Sequence, residues 1–112
     1  MMNFTVAKVG KDAAVAELDG RIDIMDYHDL RQQLGSAIGA EVRRLVVNVA
    51  AVKFIDNSGL NALRDCLHTL RRQGGNLALV QVSHQTEMKL KLLQLDHVFP
   101  VYQDVPTALQ WL

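Results

Sequence analysis

Four consecutive residues, Asp56-Asn57-Ser58-Gly59, bring together a carboxylate, an amide, a hydroxyl and a residue with no side chain. Asp, Asn and Ser all accept hydrogen bonds from open backbone amides, so a turn and a helix cap account for the run taken alone. Its flanks add more. Before it, Leu45, Val46, Val47 and Val49 form the apolar, β-branched stretch of a strand covered on both faces. After it, Leu60, Leu63, Leu67 and Leu70 recur at the spacing of one buried helix face. The run therefore sits where a strand becomes a helix, and it presents Ser58 together with the free N–H groups of a helix N-terminus. An anion suits that position. Gly59 falls in the first helical turn, where Gly is about 1 kcal/mol worse than Ala away from the caps. Its missing side chain is expected to leave the backbone and the Ser58 hydroxyl open to something large, such as another protein's active site.

Chemistry performed by Ser58 itself fits poorly. Ile55 and Asn57 flank the site and no G-x-S-x-G elbow is formed, and no histidine is placed by sequence beside Ser58 as a base. A serine acted on by another enzyme needs no such help. Phosphorylated, it would gain about −1.5 to −2 charge at the favourable end of a helix dipole. The acids Asp19, Asp23, Asp26 and Asp29 lack the EF-hand spacing, and His28, His68, His84 and His97 make no pair at ligand spacing on one helix face. No metal site and no catalytic residue is expected. Gly74-Gly75 is not followed by Lys-Ser or Lys-Thr, so no Walker-type phosphate loop is present and no cofactor is assigned.

The composition narrows the setting. A chain of 112 residues with 49% hydrophobic and 21% charged residues belongs with ordinary globular domains. Lys+Arg and Asp+Glu both number 12, giving zero net charge and no broad attraction to nucleic acid or anionic membrane. Local basic patches at Arg43-Arg44 or Arg71-Arg72 stay open. Cys66 is the only cysteine and reads as a small hydrophobe beside Leu63, Leu67 and Leu70, so nothing points to an oxidising compartment. No run approaches the roughly 18 apolar residues of a membrane span, and the N-terminus lacks a secretory core. A cytoplasmic location is expected.

The elements that must position Ser58 follow in order. Phe4, Val6 and Lys8 alternate as a half-buried first strand, and Ala14 to Leu18 is a second, close enough to form a hairpin. A polar loop, Asp19 to Asp26, leads to a helix with Asp26 as its cap and Leu30, Leu34, Ala37 and Ile38 as its buried stripe. The strand and helix around Ser58 come next, ending at Gly74-Gly75. Leu77 to Val82 is another buried strand. Ser83 caps a helix whose core residues are read as Met88, Leu92 and Leu95; Leu90 and Leu93 fall off that face and are read as widening the core contact, with a partner surface as the alternative. Val98 to Tyr102 is a last strand, and Asp104 with Pro106 opens a terminal helix carrying Trp111 as a core plug.

The order β-β-α-β-α-β-α-β-α requires right-handed crossovers and a mixed, mostly parallel sheet: an α/β fold with an N-terminal hairpin and about four helices. Parallel strands bring their carboxyl ends to one edge, where binding sites collect. The loops Asp19 to Asp26, Lys53 to Gly59 and Ser83 to Gln85 share it. The constellation is therefore Asp23, Asp56, Asn57, Ser58 and Gly59, with His84 nearby.

At these residues the chain resembles the STAS domain family, the anti-sigma-factor antagonists, over nearly its whole length, as one domain spanning residues 1 to 112. The resemblance is carried by Leu18-Asp19-Gly20-Arg21-Ile22-Asp23, by Leu45-Val46-Val47-Asn48-Val49 and, most specifically, by Phe54-Ile55-Asp56-Asn57-Ser58-Gly59-Leu60, with support from Leu95 to Tyr102. Asn48 replaces an aspartate common in the family. The resemblance implies a partner switch in which Ser58 is phosphorylated by an anti-sigma factor that is also a serine kinase, and a serine phosphatase reverses the step. It implies that Asp23 and Asp56 are acids around the serine, that Gly59 is the glycine that follows it, and that the protein is no enzyme. The alternative is a STAS subunit of a larger assembly, such as a transporter accessory protein, docking constitutively through the same edge.

Overall fold

The computed structural model describes residues 2–112. Strands β1 (Met2–Val9) and β2 (Ala13–Ile22) form the hairpin, and a single 3-10 turn, Ile24–Asp26, leads into α1 (Tyr27–Ile38). Then follow β3 (Arg44–Ile55), α2 (Asn57–Arg72), β4 (Asn76–Val80), α3 (His84–Leu92), β5 (Val101–Tyr102) and α4 (Val105–Trp111). The sheet order is β1-β2-β3-β4-β5, with only the β1-β2 pair antiparallel. The element order and mixed sheet are those expected from the alternation of strand and helix patterns.

The two faces of β3 divide the core. Leu45, Val47 and Val49 face one side, where α1, α2 and Leu90 of α3 pack. Val46 faces the other with Ala78 and Val80, and α4 covers them through Val105, Ala108 and Leu109. The α2 stripe Leu60, Leu63, Leu67 and Leu70 is wholly buried. Cys66 lies buried beside it, and burial pushes its thiol up to about 12, so it serves as a small core hydrophobe.

Several local expectations need correction. Asp19 to Ile22 is strand rather than loop: β2 keeps pairing with β3 as far as Ile22 opposite Ile55, through register shifts on either side of Gly20. β3 likewise runs on to Ile55. β4 stops at Val80, because Gln81 turns to φ 57. β1 is exposed along most of its length, being an edge strand. In α3, Leu90 is the core residue, whereas Met88 is exposed and Leu92 is 81% exposed. The helix ends at Leu92 and Gln94 takes φ 57, so Leu95 reaches the core from the following loop and its helical spacing to Leu92 and Met88 carries no meaning. Trp111 is no core plug, at 68% exposed. The i, i+3, i+4, i+7 stripe Val105, Ala108, Leu109 and Leu112 covers the sheet instead.

Candidate functional site

The site begins with two strands that end together. Ile22 of β2 pairs with Ile55 of β3, and the Asp56 N–H donates to the Ile22 carbonyl at 3.0 Å. Asp23 and Asp56 therefore leave the sheet side by side, as parallel strand order requires. Each carboxylate then starts a helical turn. Asp56 Oδ1 accepts from the Gly59 N–H at 3.0 Å and caps α2. Asp23 Oδ1 accepts from the Met25 N–H at 2.9 Å, while Asp26 Oδ2 accepts from the Asp23 N–H at 2.9 Å. This reciprocal pair is a capping box across the 3-10 turn. Asp26, expected to cap α1, makes no side-chain cap there, because its carboxylate is turned back to Asp23.

Ser58 is the second residue of α2 and half-buried, with exposed Asn57 before it. Asp56 holds the cap, so the serine hydroxyl is not what starts the helix. Gly59 is present for a different reason from the one its helix position suggested. It is buried, and a Cβ there would lie 2.6 Å from Ile55 Cγ1 and 2.9 Å from Ile22 Cγ2. The glycine lets α2 settle onto the ends of β2 and β3. Its missing side chain faces the core, so it is not what opens the Ser58 hydroxyl.

Three further residues join this edge. Lys89 of α3 donates from Nζ to the Ile55 carbonyl at 2.6 Å, and the same ammonium lies 4.0 Å from the Phe54 ring centre. Arg21, paired with Phe54 across β2 and β3, stacks on the ring at 4.7 Å. Phe54 and Arg21 stand within the motifs singled out from sequence without a role assigned. Lys89 carried no local signal, since it reaches its partner across 34 positions. His84 opens α3 and is exposed, and no hydrogen bond among the described residues joins it to the β3-α2 turn.

The 3-10 turn is braced from behind. Tyr27, the next residue, donates its hydroxyl to Asp65 Oδ2 of α2 at 2.6 Å, and that bond to a carboxylate, with burial behind it, raises the tyrosine pKa above its ordinary value. Held this way, the turn displays Ile24 and Met25 in solvent, Met25 at 86% exposure. Neither apolar side chain was singled out from sequence.

The fold and site define a small α/β domain whose carboxyl sheet edge carries an acid-capped helix start, a serine and an exposed apolar turn. Residues 5–108 match the STAS domain family. The chain belongs to that family. It is 24% identical over 96 residues, 85% of its length and 82% of the relative's, to the anti-sigma F factor antagonist of Paenibacillus polymyxa. An anti-sigma factor antagonist from Mycobacterium paratuberculosis has the same fold, with TM-score 0.86 and 25% identity over 98% of this chain and 92% of the other. So does the Bacillus protein SpoIIAA, in its unphosphorylated form (TM-score 0.77, 19% identity, 91% and 90% covered) and its phosphorylated form (TM-score 0.71, 18% identity, 91% and 93% covered).

Proposed function

We propose that this chain, as one STAS domain over residues 1 to 112, is an anti-sigma-factor antagonist that acts by binding and not by catalysis, and that phosphorylation at Ser58 switches it off. Its partner is an anti-sigma factor with serine kinase activity, a serine phosphatase resets it, and all three act in the cytoplasm. The observation that carries this reading is the division of labour at the start of α2. Asp56 caps the helix, which frees the half-exposed Ser58 hydroxyl to be a substrate without cost to the fold. Family membership and two relatives named as anti-sigma factor antagonists support the partner class. That the phosphorylated form of SpoIIAA keeps this fold supports a switch without refolding.

The physics of the switch follows from the neighbours. Asp23, Asp56, Asn57 and Ser58 form the docking edge, with Ile24 and Met25 as its apolar contacts and Gly59 buried beneath it to seat α2. A phosphate on Ser58 adds about −1.5 to −2 charge beside two carboxylates. Burying such charge unpaired in an interface costs several kcal/mol, and each ~1.4 kcal/mol is tenfold in affinity.

The test has two parts. Phosphosite mapping of the protein from its native cells is expected to find phosphate on Ser58, and its absence under every growth condition would remove the leading claim. Ser58→Ala is expected to retain the anti-sigma kinase as bait, while Ser58→Asp binds it more than about tenfold more weakly with an unchanged melting curve. Equal retention by both variants would sink the mechanism.

A further inference from the structure

The sheet has two unlike edges. β5 is two residues long, whereas β1 presents eight residues whose outer side pairs with nothing among the described residues. Long edges are ordinarily blunted by charged side chains, proline, bulges or a covering element. β1 has no proline, its one charge is Lys8, and its pairing with β2 runs without a break from Met2 opposite Gly20 to Val9 opposite Ala13. Beside it lies an open groove of about 770 Å³ floored by Phe4, Val6 and Lys8 and walled by Asp29, Gln33 and Ala37 of α1. Val6 is 39% exposed there.

We propose that the occupant of this edge is a second copy of the chain, added antiparallel through β1 about a two-fold axis at Val6. The charge pattern selects this partner. β1 and α1 both run antiparallel to β2, so Phe4 lies toward the Asp29 end of the groove and Lys8 toward the Ala37 end. A two-fold axis at Val6 sets Val6 against Val6, Thr5 against Ala7, and Lys8 of each copy against Phe4 of the other. Residues directly opposite share a face, so each Lys8 enters the other copy's groove at the end that holds Asp29. Two ion pairs form by symmetry, each ammonium also lying over an aromatic ring. The exposed valines meet at the axis, and the free amides and carbonyls of both strands are satisfied. The pairing is isologous and closes on itself, so it yields a dimer and no fibre. Ser58, at the start of α2 beyond β3 and two strands from β1, stays accessible in the dimer.

Sedimentation of the full chain over micromolar to millimolar concentration reads the outcome. The wild type is expected as a monomer–dimer equilibrium. Lys8→Glu and Asp29→Lys each place like charges together twice, and each is expected to raise the dissociation constant about tenfold or more. The double variant, Lys8→Glu with Asp29→Lys, is expected to recover wild-type affinity to within about threefold. All are exposed positions, and an unchanged melting curve checks the fold. A wild type that stays monomeric, including one whose β1 accepts a strand from a different protein, overturns the proposal. So does a dimer indifferent to both charge reversals. Neither result bears on Ser58, whose phosphate and partner binding are read separately.

Discussion

The two ends of α2 are built from similar materials to opposite effect. The C-terminal end closes on its neighbours. Gly74 takes φ 82 and its N–H reaches the Arg71 carbonyl at 3.1 Å, while the Gly75 N–H reaches the Leu70 carbonyl at 2.8 Å, the paired bonds of a Schellman stop. Arg71 donates to the Val98 carbonyl at 2.9 Å, and Arg44 binds both Asp12 at 3.0 Å and the Leu109 carbonyl at 2.6 Å. The arginines left open as basic patches are in large part occupied with the fold. At the N-terminal end, one carboxylate caps the helix and a second holds the neighbouring turn, both within three residues of their partners. Local caps ask nothing of Ser58, Ile24 or Met25. At the C-terminal end the arginine side chains are taken up by the fold, whereas at the N-terminal end the caps leave Ser58, Ile24 and Met25 to spare for a partner.

This contrast is sharpest at the two buried-contact glycines. A Cβ on Gly75 would drive into the backbone carbonyl of Arg43, which is itself fixed by the Asn76 N–H at 2.7 Å. Nothing there can rotate away. Gly75→Ala is expected to cost about 3 kcal/mol, the upper range for forced overpacking, read as a fall in the urea midpoint at unchanged slope. Gly59→Ala meets only isoleucine side chains, at Ile55 and Ile22, and Ala regains about 1 kcal/mol of helix propensity. Its net cost is expected at about 1 to 2 kcal/mol, since β-branched side chains yield little. Equal losses at the two positions would break the distinction between a rigid end and an adaptable one.

The same contrast explains what could be read from the sequence. The stop at Gly74-Gly75 and a cap within Asp56-Asn57-Ser58 are local, so residue type and spacing announced both, though not which of the three would hold the cap. The meeting of Asp23 and Asp56 was legible one level up, because parallel strands must end on one edge. Gly59 was legible as an oddity, but its cause lies in Ile22, a residue remote in sequence, and position alone pointed to solvent instead of the core. Leu92 and Trp111 failed for a related reason. Apolar periodicity shows that a side is apolar, but the chain turn at Gln94 and the small size of Ala108 decide which side meets the sheet. Lys89 on the Ile55 carbonyl had no local trace at all.

The smallest expected effects separate the cap from the serine it sets free. Asp56→Ala removes the oxygen that accepts from Gly59, and losing an N-cap costs about 1 kcal/mol. Asp56→Asn keeps an acceptor oxygen in the same place, and Asn caps about as well as Asp, so the loss is expected to shrink to a few tenths of a kcal/mol. What remains is the charge that favoured the helix dipole, and raising salt is expected to erase it. Ser58→Ala, outside the cap, is expected to fall within about 0.5 kcal/mol of wild type. Urea titrations of the three variants, at low and at moderate salt, check the ranking. If Ser58→Ala cost as much as Asp56→Ala, the hydroxyl would be part of the helix start, and the two ends of α2 would be equally committed to the fold. If the ranking holds, the charge at position 56 and the hydroxyl at position 58 can both vary with little change in stability. A phosphate can then act on the interface alone.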